Sequence, residues 1–312
     1  MIKKKEKESS LFEECRTFHH GIRLLFFLFY HIKYSKNDYL CDKTRNMSIR
    51  EWVHNREIDG RPAFSYGEVT NAFPTFTPQH IRNDLYRLRK SNVIAQPYKG
   101  FYVVIPPHYA AKGRMPPVYY IDQLMDYLRR PYYICLLSAA ELLGAAHQRP
   151  QQFSIMTVPP EVRMLRQTSL DWNYRIRIAD GFLRESNSET GTIKFSGPEL
   201  TALDLIQYEQ HVGGLSRAAT VIEELSEQTV WTGAAEKGLL SPSTIATVQR
   251  LGYILENVLM NQSQADDLYH ELKIVSPKLN RFRLSTRKND DGSVLDKRWN
   301  IIVNTEIEID DL

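Results

Sequence analysis

Residues 77–91 carry side chains that suit hydrogen bonding to the edges of nucleic-acid bases. If this segment is helical, Ile81, Leu85 and Leu88 fall on one stripe. The opposite side then carries polar and basic side chains, namely Gln79, Arg82, Asn83, Tyr86, Arg87 and Lys90. Arginine can pair with two acceptors of guanine, and glutamine or asparagine can pair with adenine in the same way. The pattern favours a helix that packs on its domain by the apolar stripe and reads DNA with its other side.

The same segment is basic. Its charged residues are Arg82, Asp84, Arg87, Arg89 and Lys90. Four positive charges and one negative charge give +3, which equals the net charge of the whole chain. Thr77 followed by Pro78 predicts a helix cap and first turn, where free backbone N–H groups can bind a phosphate. The alternatives are a basic face that is merely solvated and a module that docks on another protein.

The elements around this helix follow the order of a winged helix-turn-helix domain over residues 47–106. Helices are predicted at 48–56, 65–73 and 77–91, with Ser48 and Ser65 as the first two caps and Glu68 at the spacing of a capping box. Residues 93–105 predict two strands joined at Tyr98-Lys99-Gly100. In this wing, Lys99 is expected beside a phosphate, with Tyr98 or Tyr102 packing nearby. The predicted DNA-binding residues are Thr77, Gln79, Arg82, Asn83, Tyr86, Arg87, Arg89, Lys90, Tyr98 and Lys99.

The rest of the chain predicts a larger second domain. Gly and Pro density marks a linker at 107–117, and residues 118–312 mix helical and strand patterns. Helices are predicted at 119–129, 136–147, 198–211, 215–226, 234–237 and 242–257. Strands are predicted at 153–158, 174–179, 281–285 and 299–303. The fold class is therefore α+β, an N-terminal winged helix-turn-helix followed by a larger mixed α/β C-terminal domain.

Residues 1–46 precede the first predicted domain and contain one strongly apolar run, Leu24 to Tyr30. This run is far short of the roughly 20 residues that a membrane-spanning helix needs. No small-residue cleavage site follows it, as a signal peptide would require. We interpret the segment as a leader or extension of uncertain order, with an extra docking helix or a membrane anchor as alternatives.

The sequence contains none of the usual catalytic or metal-binding motifs. It has three widely spaced cysteines, and no Cys-x-x-Cys pair that would indicate zinc. A phosphate-binding Gly-x-x-x-x-Gly-Lys loop, a His-Glu-x-x-His pair and a Gly-x-Ser-x-Gly elbow are all missing from it. Gly292-Ser293 followed by Glu306, Glu308 and Asp310 resembles a nucleotidyltransferase pattern, but no helix is predicted after the Gly-Ser pair. We expect no catalytic residue, no metal and no cofactor, and a reduced cytoplasmic setting.

Several stretches, in this order, resemble the AbiEi family of antitoxins over about residues 47–305. They are Lys99-Gly-Phe-Tyr-Val103, Leu137-Ser-Ala-Ala-Glu-Leu-Leu-Gly144, Ser196-Gly-Pro-Glu-Leu-Thr-Ala-Leu-Asp-Leu-Ile206, Gly213-Gly214, Arg250-Leu-Gly-Tyr-Ile-Leu255 and Arg298-Trp-Asn-Ile-Ile-Val-Asn304. Residues 1–46 are not required by the family pattern.

The resemblance implies an antitoxin of a type IV toxin–antitoxin system related to abortive phage infection. Its N-terminal domain would bind inverted repeats in the promoter of its own operon and repress transcription, as a dimer or as cooperative monomers. Its C-terminal domain would counter a cognate nucleotidyltransferase-like toxin without a stable complex. Alternatives from the residues themselves are a winged-helix regulator with a ligand- or partner-sensing second domain, and an enzyme with a DNA-targeting domain.

Overall fold

The computed structural model describes residues 47–111, 115–145, 150–162, 169–241 and 244–309. Within these ranges the chain is a mixed α+β protein with several β-sheets. The predicted extension at 1–46 lies outside the described residues, as does Asp310 of the Gly-Ser and carboxylate pattern.

The N-terminal region combines helices with a small antiparallel sheet. Its elements are α1 (Ile49–Ile58), β1 (Ala63–Ser65), α2 (Tyr66–Ala72), α3 (Pro78–Lys90), β2 (Ile94–Tyr98) and β3 (Phe101–Val104). The predicted helices and hairpin are confirmed. Strand β1 was not predicted, because three residues directly before a helix cap give too short a pattern. It pairs with β3, so the sheet order is β1-β3-β2.

Side-chain caps fix where these helices begin. Ser48 accepts a hydrogen bond from the Glu51 amide (3.2 Å), and the Glu51 carboxylate accepts one from the Ser48 amide (2.8 Å). Ser65 and Glu68 repeat this reciprocal arrangement at 3.1 and 2.7 Å. Such caps each contribute about 1 kcal/mol to helix stability. The three helices then close over one apolar cluster, formed by Ile49, Val53, Phe64, Val69, Phe73, Ile81, Leu85, Leu88, Ile94 and Val104.

The second region is built on a five-stranded mixed sheet. Its strands are β4 (Tyr132–Ile134), β5 (Phe153–Thr157), β6 (Leu170–Tyr174), β7 (Leu183–Ser188) and β8 (Gly191–Ser196), in the spatial order β6-β5-β4-β8-β7. The pairs β4–β5 and β7–β8 are antiparallel, and the pairs β4–β8 and β5–β6 are parallel.

The strand predicted at 174–179 is wrong, since β6 ends at Tyr174. Residues 174–179 alternate in polarity as a strand does. However, Tyr174 pairs with Thr157, the last residue of β5, so the residues beyond have no neighbouring strand. Ile176 accordingly is 93% exposed.

Helices cover this sheet and continue to the C-terminal part of the chain. They are α4 (Pro107–Ala110), α5 (Ile121–Leu128), α6 (Leu136–Leu142), α7 (Pro198–Gln207), α8 (Glu209–Val212), α9 (Leu215–Ser226), α10 (Ile245–Asn257) and α11 (Gln262–Val275). Single 3₁₀ turns occupy Pro117–Tyr119 and Asp180–Phe182. A small sheet of β9 (Phe282–Arg283), β10 (Val294–Asp296) and β11 (Ile301–Val303) follows, in the order β10-β11-β9.

The helix predicted at 234–237 is also wrong, because those residues form turns. The buried Glu271 carboxylate on α11 accepts hydrogen bonds from the amides of Gly233 and Ala235, each at 2.8 Å. The turn at these residues is thus held by a carboxylate of a distant helix. Helix α11 itself was not predicted, although its buried residues Ala265, Leu268 and Leu272 follow helical spacing.

Helix α5 lies between the three-stranded sheet of the N-terminal region and the five-stranded sheet. Its buried residues Ile121 and Leu124 share one apolar cluster with Phe101 of β3 and with Ile134 and Phe195 of the five-stranded sheet. The predicted linker at 107–117 contains the short helix α4, and its last described residues include the buried Met115 and Pro117. The N-terminal region therefore packs on the second region through α5 and through side chains next to it.

Candidate nucleic-acid interface

Helix α3 presents the predicted polar face to solvent. Ile81, Leu85 and Leu88 are buried in the N-terminal cluster, as the helical spacing predicted. The exposed residues of the helix and its cap include Thr77, Gln79, Arg82, Asn83, Tyr86, Arg87, Arg89 and Lys90. The structure thus gathers eight of the ten predicted DNA-binding residues on one helix surface.

Hydrogen bonds between neighbouring side chains order the first half of this face. The Gln79 amide nitrogen donates to Asn83 Oδ1 (2.9 Å), and Arg82 donates to Gln79 Oε1 (3.2 Å). Thr77 Oγ1 accepts a hydrogen bond from the His80 amide (3.2 Å), so this hydroxyl oxygen caps the helix. An arginine and two amides therefore stand side by side, which is the set of groups that recognises guanine and adenine in a major groove.

The second half of the face holds the remaining cations. Arg87 pairs with Asp84 at 3.2 Å, and its side chain is still 77% exposed. Arg89 lies over the Tyr86 ring at 5.9 Å and donates to Gln96 of β2, so it ties α3 to the hairpin. Within the described part of the chain, Arg82 and Lys90 have no ion-pair partner. Among the described residues, the positive charge of the face is thus only partly neutralised, by Asp84.

One side of the turn between β2 and β3 faces solvent, and the other side contacts the second region. Lys99 is exposed, whereas its carbonyl oxygen accepts a hydrogen bond from the Tyr127 hydroxyl at 3.3 Å. Tyr98 is half-buried, and its ring contacts the Tyr127 ring edge-on with centroids 6.2 Å apart. Tyr102, the other aromatic residue expected near the turn, stacks on Phe64 at 5.5 Å. The Lys99 side chain is therefore in solvent, and Tyr98 contacts α5.

A cleft opens behind this turn. Its volume is about 500 Å³, and its lining residues are Tyr98, Leu128, Arg130, Pro160, Glu161 and Val162. Arg130 donates a hydrogen bond to the Val158 carbonyl at 3.3 Å, so its guanidinium is engaged at the cleft wall. Arg130 and Glu161 carry opposite charges that compensate each other. The cleft therefore has no strong electrostatic preference for an anion or a cation.

The second region contains a buried polar network that the sequence analysis did not find. Arg175, just after β6, donates to Asp204 of α7 and to the Tyr133 hydroxyl, each at 2.8 Å. Tyr133 in turn donates to the other Asp204 oxygen at 2.8 Å. Burial raises the pKa of Asp204 to about 6, and the Arg175 guanidinium opposes this shift. A carboxylate inside the apolar run Thr201-Ala-Leu-Asp-Leu-Ile206 was the signal that such a partner exists.

This network has the properties of a structural element of the core. Asp204 is fully buried and both of its oxygens are bonded. Cys135 beside it is also fully buried, and burial raises the pKa of its thiol well above the ordinary value, which opposes thiolate chemistry. The described residues include no cluster of three His, Cys, Asp or Glu side chains that could hold a metal ion.

Gly292 and Ser293 precede strand β10 and no helix, as expected. His211 is 3.7 Å from the Asp171 carboxylate with 45% of its side chain exposed, and His270 is exposed. Gly213 has φ +96° directly after α8, a left-handed conformation that favours glycine and ends the helix before Leu215. In the described ranges, no helix has the length and apolar character that crossing a membrane requires.

The comparisons with known proteins bear on both regions. Residues 132–257 match the family of the AbiEi antitoxin C-terminal domain. The matched range begins at the first residue of β4 and ends at the last residue of α10. No curated protein matched the chain.

A crystal structure of the RV2827C protein from Mycobacterium tuberculosis has a similar fold. Its TM-score is 0.59 at 16% sequence identity, and the alignment covers 80% of this chain and 89% of that one. At this identity the likeness concerns the fold alone. The family match concerns the sheet and helices that contain the Asp204 network. Residues 132–257 of the chain therefore match the AbiEi antitoxin C-terminal domain, and this match supports an antitoxin of the AbiEi family.

Proposed function

We propose that this protein is the antitoxin and transcriptional autorepressor of a type IV toxin–antitoxin system. In this proposal residues 47–106 form a winged helix-turn-helix domain that binds inverted repeats in the promoter of the protein's own operon. Residues 107–117 connect it to an antitoxin domain at 118–312, which counters a cognate nucleotidyltransferase-like toxin in the cytoplasm. The antitoxin role is supported by the AbiEi domain, and the DNA-binding role is supported by helix α3.

The exposed face of α3 is the observation that carries the DNA-binding proposal. It combines the hydrogen-bonded set Gln79, Arg82 and Asn83 with further cations at Arg87 and Lys90. Held by a rigid helix, these groups would enter a major groove already oriented, and little side-chain entropy would be lost on binding. The helix also begins with Thr77 and Pro78 at an exposed end, where backbone N–H groups would bind a phosphate.

The surrounding elements support the same reading. Their order is helix, strand, helix, helix and two hairpin strands, which is the order of winged helix-turn-helix domains. In such domains the third helix enters the major groove and the hairpin lies along the backbone. Exposed Lys99 at the hairpin turn would then contact a phosphate, which contributes affinity without sequence preference.

The two domains would act together on two targets. A single winged helix reads few base pairs, so we expect two copies of the chain on an inverted repeat, as a dimer or through cooperative binding. The antitoxin domain is expected to act without catalysis, since its buried network is fully bonded. A type IV antitoxin opposes its toxin without a stable complex, so DNA binding and protection would be separable.

A gel-shift titration tests the DNA-binding proposal. The full-length protein is titrated against its own upstream DNA, with unrelated DNA as competitor and with salt varied. We expect specific retardation that weakens steeply as salt rises, because bound cations displace counterions from the phosphates. Weak binding that is equal on both DNAs would remove the repressor role and favour a docking function for the N-terminal region.

A protection assay tests the antitoxin proposal. A gene beside this protein's own gene that encodes a nucleotidyltransferase-like protein is first identified. It is then expressed with the full-length wild-type chain, and separately with an Arg82→Ala, Arg87→Ala double variant. Both proteins should restore growth, while only the wild type represses a reporter driven by the upstream DNA. Failure of the wild type to protect would contradict the antitoxin role.

The cleft behind the hairpin turn favours one second candidate. A winged-helix regulator whose second domain senses a ligand or partner would need a site near the DNA-binding elements, and the 500 Å³ cleft adjoins Tyr98. A gene neighbourhood without a nucleotidyltransferase, together with repression that responds to a small molecule, would favour this candidate.

A further inference from the structure

We propose that Tyr127, outside the proposed DNA-binding domain, is a positioning residue that fixes the hairpin turn (residues 98–101) and thereby sets DNA affinity. The restraint on the turn is independent of what the protein binds. The effect on DNA rests on the proposed function.

Tyr127 contacts three residues of the turn, namely Tyr98, Lys99 and Phe101. Its hydroxyl donates to the Lys99 carbonyl oxygen at 3.3 Å. Its ring lies 6.2 Å from the Tyr98 ring and 5.5 Å from the Phe101 ring, centroid to centroid. One side chain thus holds the backbone at the tip and packs on the aromatic residues at both sides of it.

Gly100 makes this approach possible. Its φ of +76° lies in the left-handed region that favours glycine. A Cβ at this position would also lie only 2.8 Å from the Tyr127 hydroxyl oxygen, closer than real Cβ contacts. The absence of a side chain at Gly100 therefore allows both the left-handed backbone of the turn and the contact with Tyr127 of α5.

Helix α5 is a fixed support for Tyr127. Ile121, Leu124 and Met125 are at most 1% exposed and belong to the cluster that joins the two sheets. On the other side of the turn, the Tyr66 amide donates to the Gly100 carbonyl at 2.8 Å. The turn is consequently held from the N-terminal region and from the second region at once.

This restraint matters for Lys99. With its carbonyl bound to Tyr127, Lys99 keeps a fixed backbone while its side chain remains exposed. Ordering the turn before DNA arrives lowers the entropy lost on binding, so removal of Tyr127 should weaken binding although Tyr127 itself lies in another region.

The test uses full-length variants of Tyr127 and Gly100. Tyr127→Ala removes the whole support, and Tyr127→Phe removes only the hydrogen bond. Asp126→Glu, at an exposed neighbour on the same helix, is the matched control because it also leaves the net charge unchanged. Hydrogen exchange of the peptide that covers residues 98–101 measures the turn, exchange in α10 checks that the fold is intact, and gel shifts measure affinity for the upstream DNA.

We expect exchange at the turn to accelerate on the order of tenfold in Tyr127→Ala, with a loss of DNA affinity of about the same factor. Tyr127→Phe should lose about threefold in affinity, and Asp126→Glu should match the wild type. Wild-type exchange rates at the turn in a folded Tyr127→Ala protein would overturn the proposal.

A double-mutant cycle makes the test specific for the contact. Gly100→Ala should weaken DNA binding more in the wild type than in Tyr127→Phe. Once the hydroxyl is gone, the nearest ring carbon lies 4.0 Å from the added Cβ, while the backbone strain is the same in both backgrounds. Equal losses in both backgrounds would contradict a direct contact. If the wild type binds no DNA, the proposed function fails, and the exchange rates still decide whether Tyr127 restrains the turn.

Discussion

Arg175 and Asp204 form an ion pair of 2.8 Å that joins the end of strand β6 to the middle of helix α7. Asp204 is fully buried and the Arg175 side chain is 13% exposed. Tyr133 of β4 binds both partners, so the pair also reaches the central strand of the sheet. The helix and the edge strand of the AbiEi domain are thereby held in one arrangement by hydrogen bonds that require exact placement of three side chains.

Removal of one partner should destabilise this domain strongly. Asp204→Ala leaves the Arg175 guanidinium without its counter-charge in a mostly buried position, and we expect a loss of about 3 kcal/mol in the free energy of unfolding. Denaturant unfolding measures it. The control is Asp290→Ala, whose partner Arg283 is at 2.7 Å in an exposed pair, and which should cost less than about 1 kcal/mol. Equal losses for the two variants would contradict a structural role for the buried pair.

The raised pKa of Asp204 predicts a pH dependence of stability. Burial raises this pKa from its ordinary 3.8 to about 6, so the folded chain binds the proton more tightly than the unfolded chain does. The contribution of this group to stability is then fully present below about pH 4 and is lost as the pH rises through about 6. Unfolding curves between pH 4 and 7 should show this slope in the wild type and lack it in Asp204→Asn. Parallel pH profiles of the two proteins would be the contrary result.

The polar face of α3 predicts a loss of sequence-specific binding on substitution. Arg82→Ala or Arg87→Ala should cost about 1–3 kcal/mol if the side chain reads a base, because its hydrogen bonds to the base edge disappear. Gel shifts on the upstream DNA measure this. Lys237→Ala, an exposed lysine in the turn before α10, provides a control of equal charge change. Wild-type affinity in both arginine variants would show that this face is not the recognition surface.

Substitution of Lys99 should change the salt dependence of DNA binding, unlike substitution of the arginines, which should change its sequence specificity. A lysine that contacts a phosphate contributes equally on all sequences and adds about one unit to the slope of log affinity against log salt. Lys99→Ala should therefore reduce this slope and weaken binding to operator and unrelated DNA by the same factor. An unchanged salt slope would place Lys99 away from the DNA backbone.

Gly252 on α10 predicts a steric effect in the core. A Cβ at this position would lie 2.1 Å from ring atoms of Trp299, which packs directly on the helix backbone. Gly252→Ala should lower the free energy of unfolding by about 1–3 kcal/mol or more, because this large, fully buried ring must move. Gly181→Ala is the matched control, since nothing lies within 4 Å of its added Cβ. Thermal unfolding distinguishes them, and similar melting temperatures would contradict the close packing.

Local patterns were enough to predict the N-terminal region. The helix caps, the apolar stripe of α3 and the hairpin depend on residues a few positions apart, and the structure places Ser48, Ser65 and Thr77 at the predicted helix starts. The exposed side of α3 followed directly, because a helix that buries Ile81, Leu85 and Leu88 must turn Arg82 and Asn83 to solvent. The helices α7 and α9 were found by the same signals.

Relationships between distant residues were decided only by the tertiary structure. Strand β4 is only three residues long, which is too short to show the alternation of a strand in the sequence. It forms because β5 and β8 pair with it on its two sides. The turn at 231–238 is held by Glu271, more than thirty residues away, and Asp204 is paired with Arg175 on another element. Sequence periodicity reports which face of an element is buried. It does not report which element covers that face, since this depends on the free energy of packing the whole chain. That is why the caps and polar face of α3 were determined by the sequence, whereas the contact of Tyr127 with Lys99 was decided by the fold.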